Sequence, residues 1–221
     1  MRTAVLFDVH GNLAALEAVL ADAAASGVDA YAVGGDLALF GPEPAACVDR
    51  LRALPNAVYV QGNTDRYLGD GRTEKPVPWF SRRLKEERLA WLRDLPTRAD
   101  VPGHDALVVH ATPRGDEEVL RPDTPDDNVE AMLEGETARL VIGGHVHLQF
   151  LRPVGRWTWL NPGSVGLPFD GDPRAAWAFL HEGGIDLRRT RYDVEAVAAA
   201  VEASGSPVAE VVARRLREAA A

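Results

Sequence analysis

The chain has a single cysteine, Cys47, so no disulfide can form within it and the fold rests on its core alone. A reducing compartment suits such a chain. With no basic segment followed by a signal-like apolar stretch at the amino terminus, the sequence reads as cytoplasmic. No apolar run approaches the roughly 20 residues of a membrane span, which sets a membrane partner aside. Positive charge is also short: 24 Lys and Arg against 33 Asp and Glu leave a net charge of −9. That balance opposes adsorption to a polyanion and argues against nucleic acid or an anionic lipid surface as partner. Small phosphorylated substrates stay open, because bound divalent cations reverse the local sign of the field. There is no internal repeat and no low-complexity segment beyond the alanine-rich tail. What remains is ordinary globular composition, 46% apolar and 26% charged over 221 residues. This suffices for one domain over 1–221 with a well-buried core and leaves a homo-oligomer open.

The first half alternates strand and helix. An apolar run at 3–7 precedes GNLAALEAVLADAAASG (11–27), which places Leu13, Leu16, Leu20 and Ala24 at helical spacing between Asn12 as cap and Gly27 as stop. The pattern repeats with a strand over 30–34 and a helix near 43–54, whose buried face includes Cys47, Leu51 and Leu54. A third strand at 57–61 is followed by a Gly- and Pro-containing surface excursion at 69–78, and by a helix near 80–95. The second half is richer in strands, at 106–110, 139–143, 157–160, 175–180 and 185–192. A helix near 127–134 interrupts them, and a Gly183-Gly184 turn joins the last two. An α/β half followed by a strand-rich half predicts two packed sheets covered by helices. The tail, 193–221, reads as helix broken at Gly205-Ser206-Pro207, with Ser206 as cap and Val208, Val212 and Leu216 docking on the chain's own core.

Seven side chains of metal-ligand type follow these apolar runs: Asp8 and His10, Asp36, Asn63, His110, and His145 with His147. Loops at the carboxyl ends of neighbouring strands in an α/β sheet converge on one crevice, so residues distant in sequence can share a site. Taken singly, Asp36 or Asn63 reads as a turn or cap residue. Five strand-end motifs in one order are hard to explain as five independent caps. Mixed imidazole and carboxylate ligation suits Mn, Fe, Zn, Co or Ni better than Mg or Ca. His104 and His181 stand in turn sequences and read as surface residues.

The series DVHGN (8–12), GD (35–36), GNTD (62–65), HATP (110–113), GGHVH (143–147) and NPGSVG (161–166) resembles the calcineurin-like metallophosphoesterase superfamily. More narrowly it is similar to the small prokaryotic phosphodiesterase-like branch, in which NPGSVG is followed by a stretch like FDGDPRAAW at 169–177. The resemblance implies an α/β fold of two packed mixed sheets, a double β-sandwich flanked by helices in four layers, αββα. It implies two divalent metal ions, with manganese the first candidate. One would be held by Asp8, His10, Asp36 and His147, the other by Asp36, Asn63, His110 and His145, with Asp36 as bridge. On this reading Asp36, Asn63 and His145 stand at the chemical step, and the nucleophile is a hydroxide between the ions rather than a side chain.

One position departs from the superfamily pattern. Many members carry histidine at the third place of the GNHD-type motif, where this chain has Thr64. A threonine hydroxyl is too weak an acid to protonate a leaving group at neutral pH, a contribution worth about 10²–10⁴-fold. The phosphodiesterase-like branch often lacks that histidine. For substrate phosphate the sequence nominates Arg114 and Asn12, and after them Arg66. Phe40, Trp79 and Phe169 are candidates for an apolar wall. Asp65 is a candidate for orienting the Asn63 loop. Together these readings describe a metal-dependent phosphoesterase acting on phosphodiester or phosphoanhydride bonds of a small nucleotide-like molecule. A phosphomonoesterase and a non-catalytic protein-interaction scaffold of the same fold are the alternatives.

Overall fold

Strand β1 (Thr3–Leu6) is buried along its whole length; Ala4 and Leu6 point to one side, Val5 and the following Phe7 to the other. A strand apolar on both faces needs a packed layer on each side. The computed structural model, which describes all 221 residues, supplies both layers. One sheet sets β1 beside β2 (Ala30–Val33) and β3 (Ala57–Tyr59) in parallel. The antiparallel pair β9 (Ala175–His181) and β10 (Gly184–Thr190) extends the other edge, giving the order β10-β9-β1-β2-β3. The second sheet runs β4-β5-β6-β8-β7. Its centre is parallel: β5 (Ala106–Val109), β6 (Leu140–Ile142) and β8 (Trp157–Pro162). Its two edges, β4 (Arg98–Asp100) and β7 (Gln149–Val154), pair antiparallel.

Val5, Phe7, Val60, Val108, Ile142 and Leu160 meet between the sheets and form the inner core. The outer face of the first sheet is covered by α1 (Leu13–Ala25), α2 (Pro44–Arg52) and α4 (Val77–Arg93). Leu16, Cys47, Leu51, Phe80 and Leu84 pack there with Leu6 and Trp177. On the second sheet α5 (Asp126–Leu133) lays Val129 and Leu133 against Trp159. These are the four αββα layers. The carboxyl ends of β1, β2, β5 and β6 open on one crevice, and each is followed within a few residues by a motif loop. No helix is long and apolar enough to cross a membrane.

The structure departs from the sequence expectation at GNTD, at two sheet edges and in the tail. GNTD does not remain a loop: Asn63 opens a short helix, α3 (Asn63–Gly69), and the excursion that follows is confined to the residues before Val77. Strands β4 and β7 carry no apolar run; both are sheet edges, where charged residues and Pro153 are tolerated because one side of the backbone is unpaired. The tail folds as α6 (Val194–Ala203) and α7 (Ala209–Glu218). Ser206 accepts from the Val208 amide and shapes the connecting turn, so the second helix begins past the expected cap. Val197, Val201, Val212 and Leu216 close around Leu167.

Helix α4 is interrupted at Lys85, whose φ of 61° and ψ of 163° lie in a region that is essentially glycine territory. Its side chain is exposed and makes no contact that offsets this strain. Lys85→Gly is therefore expected to stabilise the fold by about 1 kcal/mol after the entropy of the freer unfolded chain is subtracted. Thermal denaturation should show the melting temperature rising by roughly 2–4 °C; a fall would contradict this account of the kink.

Candidate metal centre

Five of the seven candidate ligands hold their backbone in the left-handed region: Asp8 (φ 53°), His10 (φ 48°), Asp36 (φ 55°), His145 (φ 67°) and His147 (φ 57°). Such conformations disfavour side chains other than glycine and persist where the surroundings over-determine them. Here the surroundings are the motif loops themselves. The amides of Asp8 and His10 donate to the carbonyls of Gly35 and Asp36, and the amide of Gly144 donates to that of His110. Two glycines make room for the carboxylates: a Cβ on Gly62 would lie 2.2 Å from Asp36 Oδ1, and one on Gly144 would lie 2.7 Å from Asp8 Oδ2. The turns thus aim side chains from four strand ends at one point.

What meets there is a set of acceptors. Nδ1 of His10 faces the Leu39 carbonyl at 3.0 Å, and Nδ1 of His147 faces that of Leu167. A carbonyl can only accept, so in both rings Nδ1 carries the proton and Nε2 presents its lone pair. These two Nε2 atoms are 3.1 Å apart. Protonating one ring would pair them, yet burial, reinforced by the neighbouring imidazole, holds His10 well below the ordinary histidine value. Burial likewise pushes His147 down to about 3. His110 repeats the arrangement: Nδ1 donates to the Gly34 carbonyl at 2.8 Å, and Nε2 faces Asn63 Oδ1 at 3.0 Å and Asp36 Oδ1 at 3.5 Å. Asp8 Oδ1 is buried with no hydrogen-bond partner, 3.5 Å from His147 Nε2.

Lone pairs in this proximity repel unless a cation sits among them. Two donors sharing an ion of bond length about 2.1 Å stand roughly 3.0–3.4 Å apart, which is the spacing of the His10 and His147 Nε2 atoms. Asp8, His10 and His147 form one such group; Asp8, Asp36 and His110 form another. Asp36 lies between them, Oδ1 toward His110 and Oδ2 3.7 Å from His10 Nε2. The donor set therefore fits borderline divalent cations. Six of the seven sequence-nominated residues converge directly. His145 is half-buried beside His110, the ring centroids 5.3 Å apart, and stays outside both close groups; its backbone amide donates to Asp8 Oδ2.

The carboxylates pay attention to the same deficit of positive charge. Burial, with the charge of Asp36, raises Asp8 well above the usual carboxylate range. Burial raises Asp36 to about 6 although its Oδ1 accepts the Thr64 amide at 2.9 Å. Asp65 is raised to about 7, by burial first and then by Asp36. It accepts the amides of Asp36, Leu37 and Gly62, so it fixes the Asp36 turn as well as the start of α3. NPGSVG does similar work on the other side: Ser164 Oγ donates to the Asp8 carbonyl at 2.7 Å, and Asn161 Nδ2 to the Gly144 carbonyl at 2.9 Å. Their positioning role follows from the hydrogen bonds.

A cavity of about 410 Å³ lies over the cluster, lined by His10, Asp36, Asn63, Thr64, His145 and His147 at its base. Neither nominated phosphate ligand reaches it. Asn12 is buried, its Oδ1 capping α1 through the Ala15 amide and its Nδ2 on the Gly166 carbonyl, so it ties two loops together. Arg114 faces Glu118, four residues on, at 3.1 Å, and borders a separate hollow. Arg66 is taken up by Asp116 and Glu117. Cations absent from the sequence reading line the cavity instead: Arg72, Lys75 and Arg215. No motif marks these positions. Of the aromatic candidates, Phe40 lines the cavity, and Phe169 does so while stacking on His147 at 4.4 Å; Trp79 packs on Phe80 and lies elsewhere. His104 and His181, each only partly exposed, stay apart from the site.

The raised carboxylates give the sign of the pH dependence. A cation selects the anionic form, so a proton on Asp36 competes with it, while burial lowers all four imidazoles and makes them weaker competitors for a proton. Calorimetric titration with Mn²⁺ should show affinity falling as pH drops through about 6, with proton release growing on the acid side. Affinity independent of pH between about 8 and 5.5 would contradict the carboxylate assignment.

Comparisons with known proteins give the family of the chain. Residues 1–183 match the model of the calcineurin-like phosphoesterase superfamily domain. An uncharacterized protein of Methanocaldococcus jannaschii is 30% identical, the alignment covering 87% of this chain and 88% of that one. Phosphodiesterase YfcE of Escherichia coli is 27% identical over 75% of this chain and 80% of its own. Among solved structures, a metallophosphoesterase from Sphaerobacter thermophilus superposes with a TM-score of 0.85 at 29% identity, covering 99% of both chains. The chain belongs to the calcineurin-like phosphoesterase superfamily.

Proposed function

We propose that the protein is a phosphoesterase working on a pair of divalent cations, and that it hydrolyses a phosphodiester or phosphoanhydride bond of a small nucleotide-like molecule. The observation that carries this reading is the apposition of the His10 and His147 lone pairs at 3.1 Å, beside the unpartnered Asp8 oxygen. Asp8, His10, Asp36 and His147 would hold one ion; Asp36, Asn63, His110 and His145 would hold the other. When bound, such a pair supplies Lewis acidity toward phosphoryl oxygens and an activated water as nucleophile. Manganese is the first candidate on the donor chemistry.

The chain's own residues supply the rest. Asp36 directs one oxygen to each half of the cluster and is held there by Asp65 through the amides of its turn. Asn63, as the first residue of α3, offers a neutral oxygen that adds no charge against an incoming phosphate. His145, half-buried at the cavity base, is the ligand best placed to meet substrate as well. Thr64 lines the same cavity, and its Oγ1 makes no hydrogen bond of ordinary geometry. It can orient a phosphoryl oxygen but is too weak an acid to protonate an alkoxide. The site therefore favours a leaving group that departs as a stable anion, as in a phosphoanhydride or an activated diester.

Metal-stripped protein reconstituted with Mn²⁺ should hydrolyse bis-p-nitrophenyl phosphate in preference to p-nitrophenyl phosphate. Asp36→Asn should reduce turnover by at least about 10²-fold. Preference for the monoester would contradict the diester reading. No turnover of either by metal-loaded protein would contradict activity on simple activated esters, and Asp36→Asn at full activity would contradict the bridging role.

A further inference from the structure

The cavity over the metal centre is built from three parts of the chain: the motif loops, the connection between α3 and α4, and the carboxyl-terminal helix α7. The last of these lies beyond residues 1–183, the segment that matches the superfamily model. Val212, Ala213 and Leu216 bury one face of α7 against Leu167 and α6, and this docking brings Arg215 to the cavity wall. Its guanidinium carbon is 5.5 Å from the centroid of the Phe169 ring, and that ring stacks on His147. The neighbouring arginines of the helix are exposed and paired: Arg214 with Glu218, and Arg217 with Glu195 and Glu202. Arg215 has no such partner, and its Nε is buried without an acceptor. No group of the chain accepts from its guanidinium, so the charge it brings to the cavity wall is open to an anionic ligand.

Two further cations face the same space. Arg72 and Lys75 stand on the exposed connection between α3 and α4, Arg72 lying over the Tyr67 ring at 3.8 Å. Glu74 is the one carboxylate beside them on this rim. In a chain of net charge −9, three cations against one carboxylate reverse the local sign. The metal centre already compensates the phosphoryl group undergoing hydrolysis, so this rim has charge to spare for another.

We propose that Arg215, together with Arg72 and Lys75, forms an anion subsite for a phosphate other than the one hydrolysed. The preferred substrate then carries at least two phosphate groups, as in a nucleoside polyphosphate. This rests on the phosphoesterase reading above and adds to it a residue outside the family segment. Arg215 is a binding residue: its guanidinium donates to the second phosphate and takes no part in bond cleavage.

The test is calorimetric binding of AMP and ADP to the Mn²⁺-loaded full chain with free Mn²⁺ held constant, hydrolysis being followed separately with bis-p-nitrophenyl phosphate. ADP should bind about tenfold more tightly than AMP. Arg215→Ala should bring the two within about twofold, while Arg215→Lys should recover part of the preference. Should Arg215→Ala fail to fold, the exposed pair Arg72→Ala and Lys75→Ala carries the same test, with a partial loss of preference expected. Equal affinity for AMP and ADP in the unmodified chain overturns the subsite, as does an equal loss for both nucleotides in Arg215→Ala, which would mean that the arginine acts through Phe169 and His147. A preserved ADP preference without any ester hydrolysis would overturn the phosphoesterase reading and leave the subsite standing.

Discussion

Two imidazole nitrogens with their lone pairs turned toward each other, 3.1 Å apart on two buried rings, are the constraint on which the rest of this molecule depends. Carbonyls of Leu39 and Leu167 fix both tautomers, burial keeps both rings neutral, and no donor stands between them. Hydrogen bonding cannot relieve this contact, and neither can a rotation that would sacrifice the Nδ1 bonds. A cation relieves it at once. The unpartnered Asp8 oxygen and the divided orientation of Asp36 point to the same solution.

Magnitudes support treating this as a site rather than a fault. Five non-glycine residues in the left-handed region together cost on the order of 5–10 kcal/mol. That is comparable with the whole net stability of a typical domain, about 5–15 kcal/mol. Loss of that order is matched by ligand binding: an ion at a thousand times its dissociation constant adds about 4 kcal/mol, and two ions about twice that. The sandwich between the sheets provides the rigidity that holds such turns in place. Asp65, Asn161 and Ser164 transmit that rigidity to the loops by bonding backbone groups on either side of the cluster.

The parts legible in the sequence were those whose signal is local. Buried parallel strands such as Thr3–Leu6 and Ala106–Val109 announce themselves as short apolar runs, and the ligands follow them directly. Edge strands Arg98–Asp100 and Gln149–Val154 gave no such signal, since an edge tolerates charge and proline. Asn63 looked like a loop residue because the helix it opens has only seven residues and a glycine for its cap. The cavity wall was the least legible part. Asn12 and Arg114 stand next to motif residues in sequence, yet one is consumed in capping and the other faces Glu118. Arg215 is more than sixty residues beyond the last motif ligand, His147, and reaches the site only through the packing of α7 on Leu167. Proximity along the chain carries ligands on one turn; it does not carry a wall assembled from three separate segments.

The central claim is that the acceptor cluster is completed by cations, and metal counting addresses it most directly. Protein stripped of metal, incubated with Mn²⁺ and dialysed should retain about two equivalents per chain by elemental analysis. Asp36→Asn, which removes charge from the carboxylate shared by both halves, should retain less than one. Retention of no metal by the folded, unmodified chain would contradict the account.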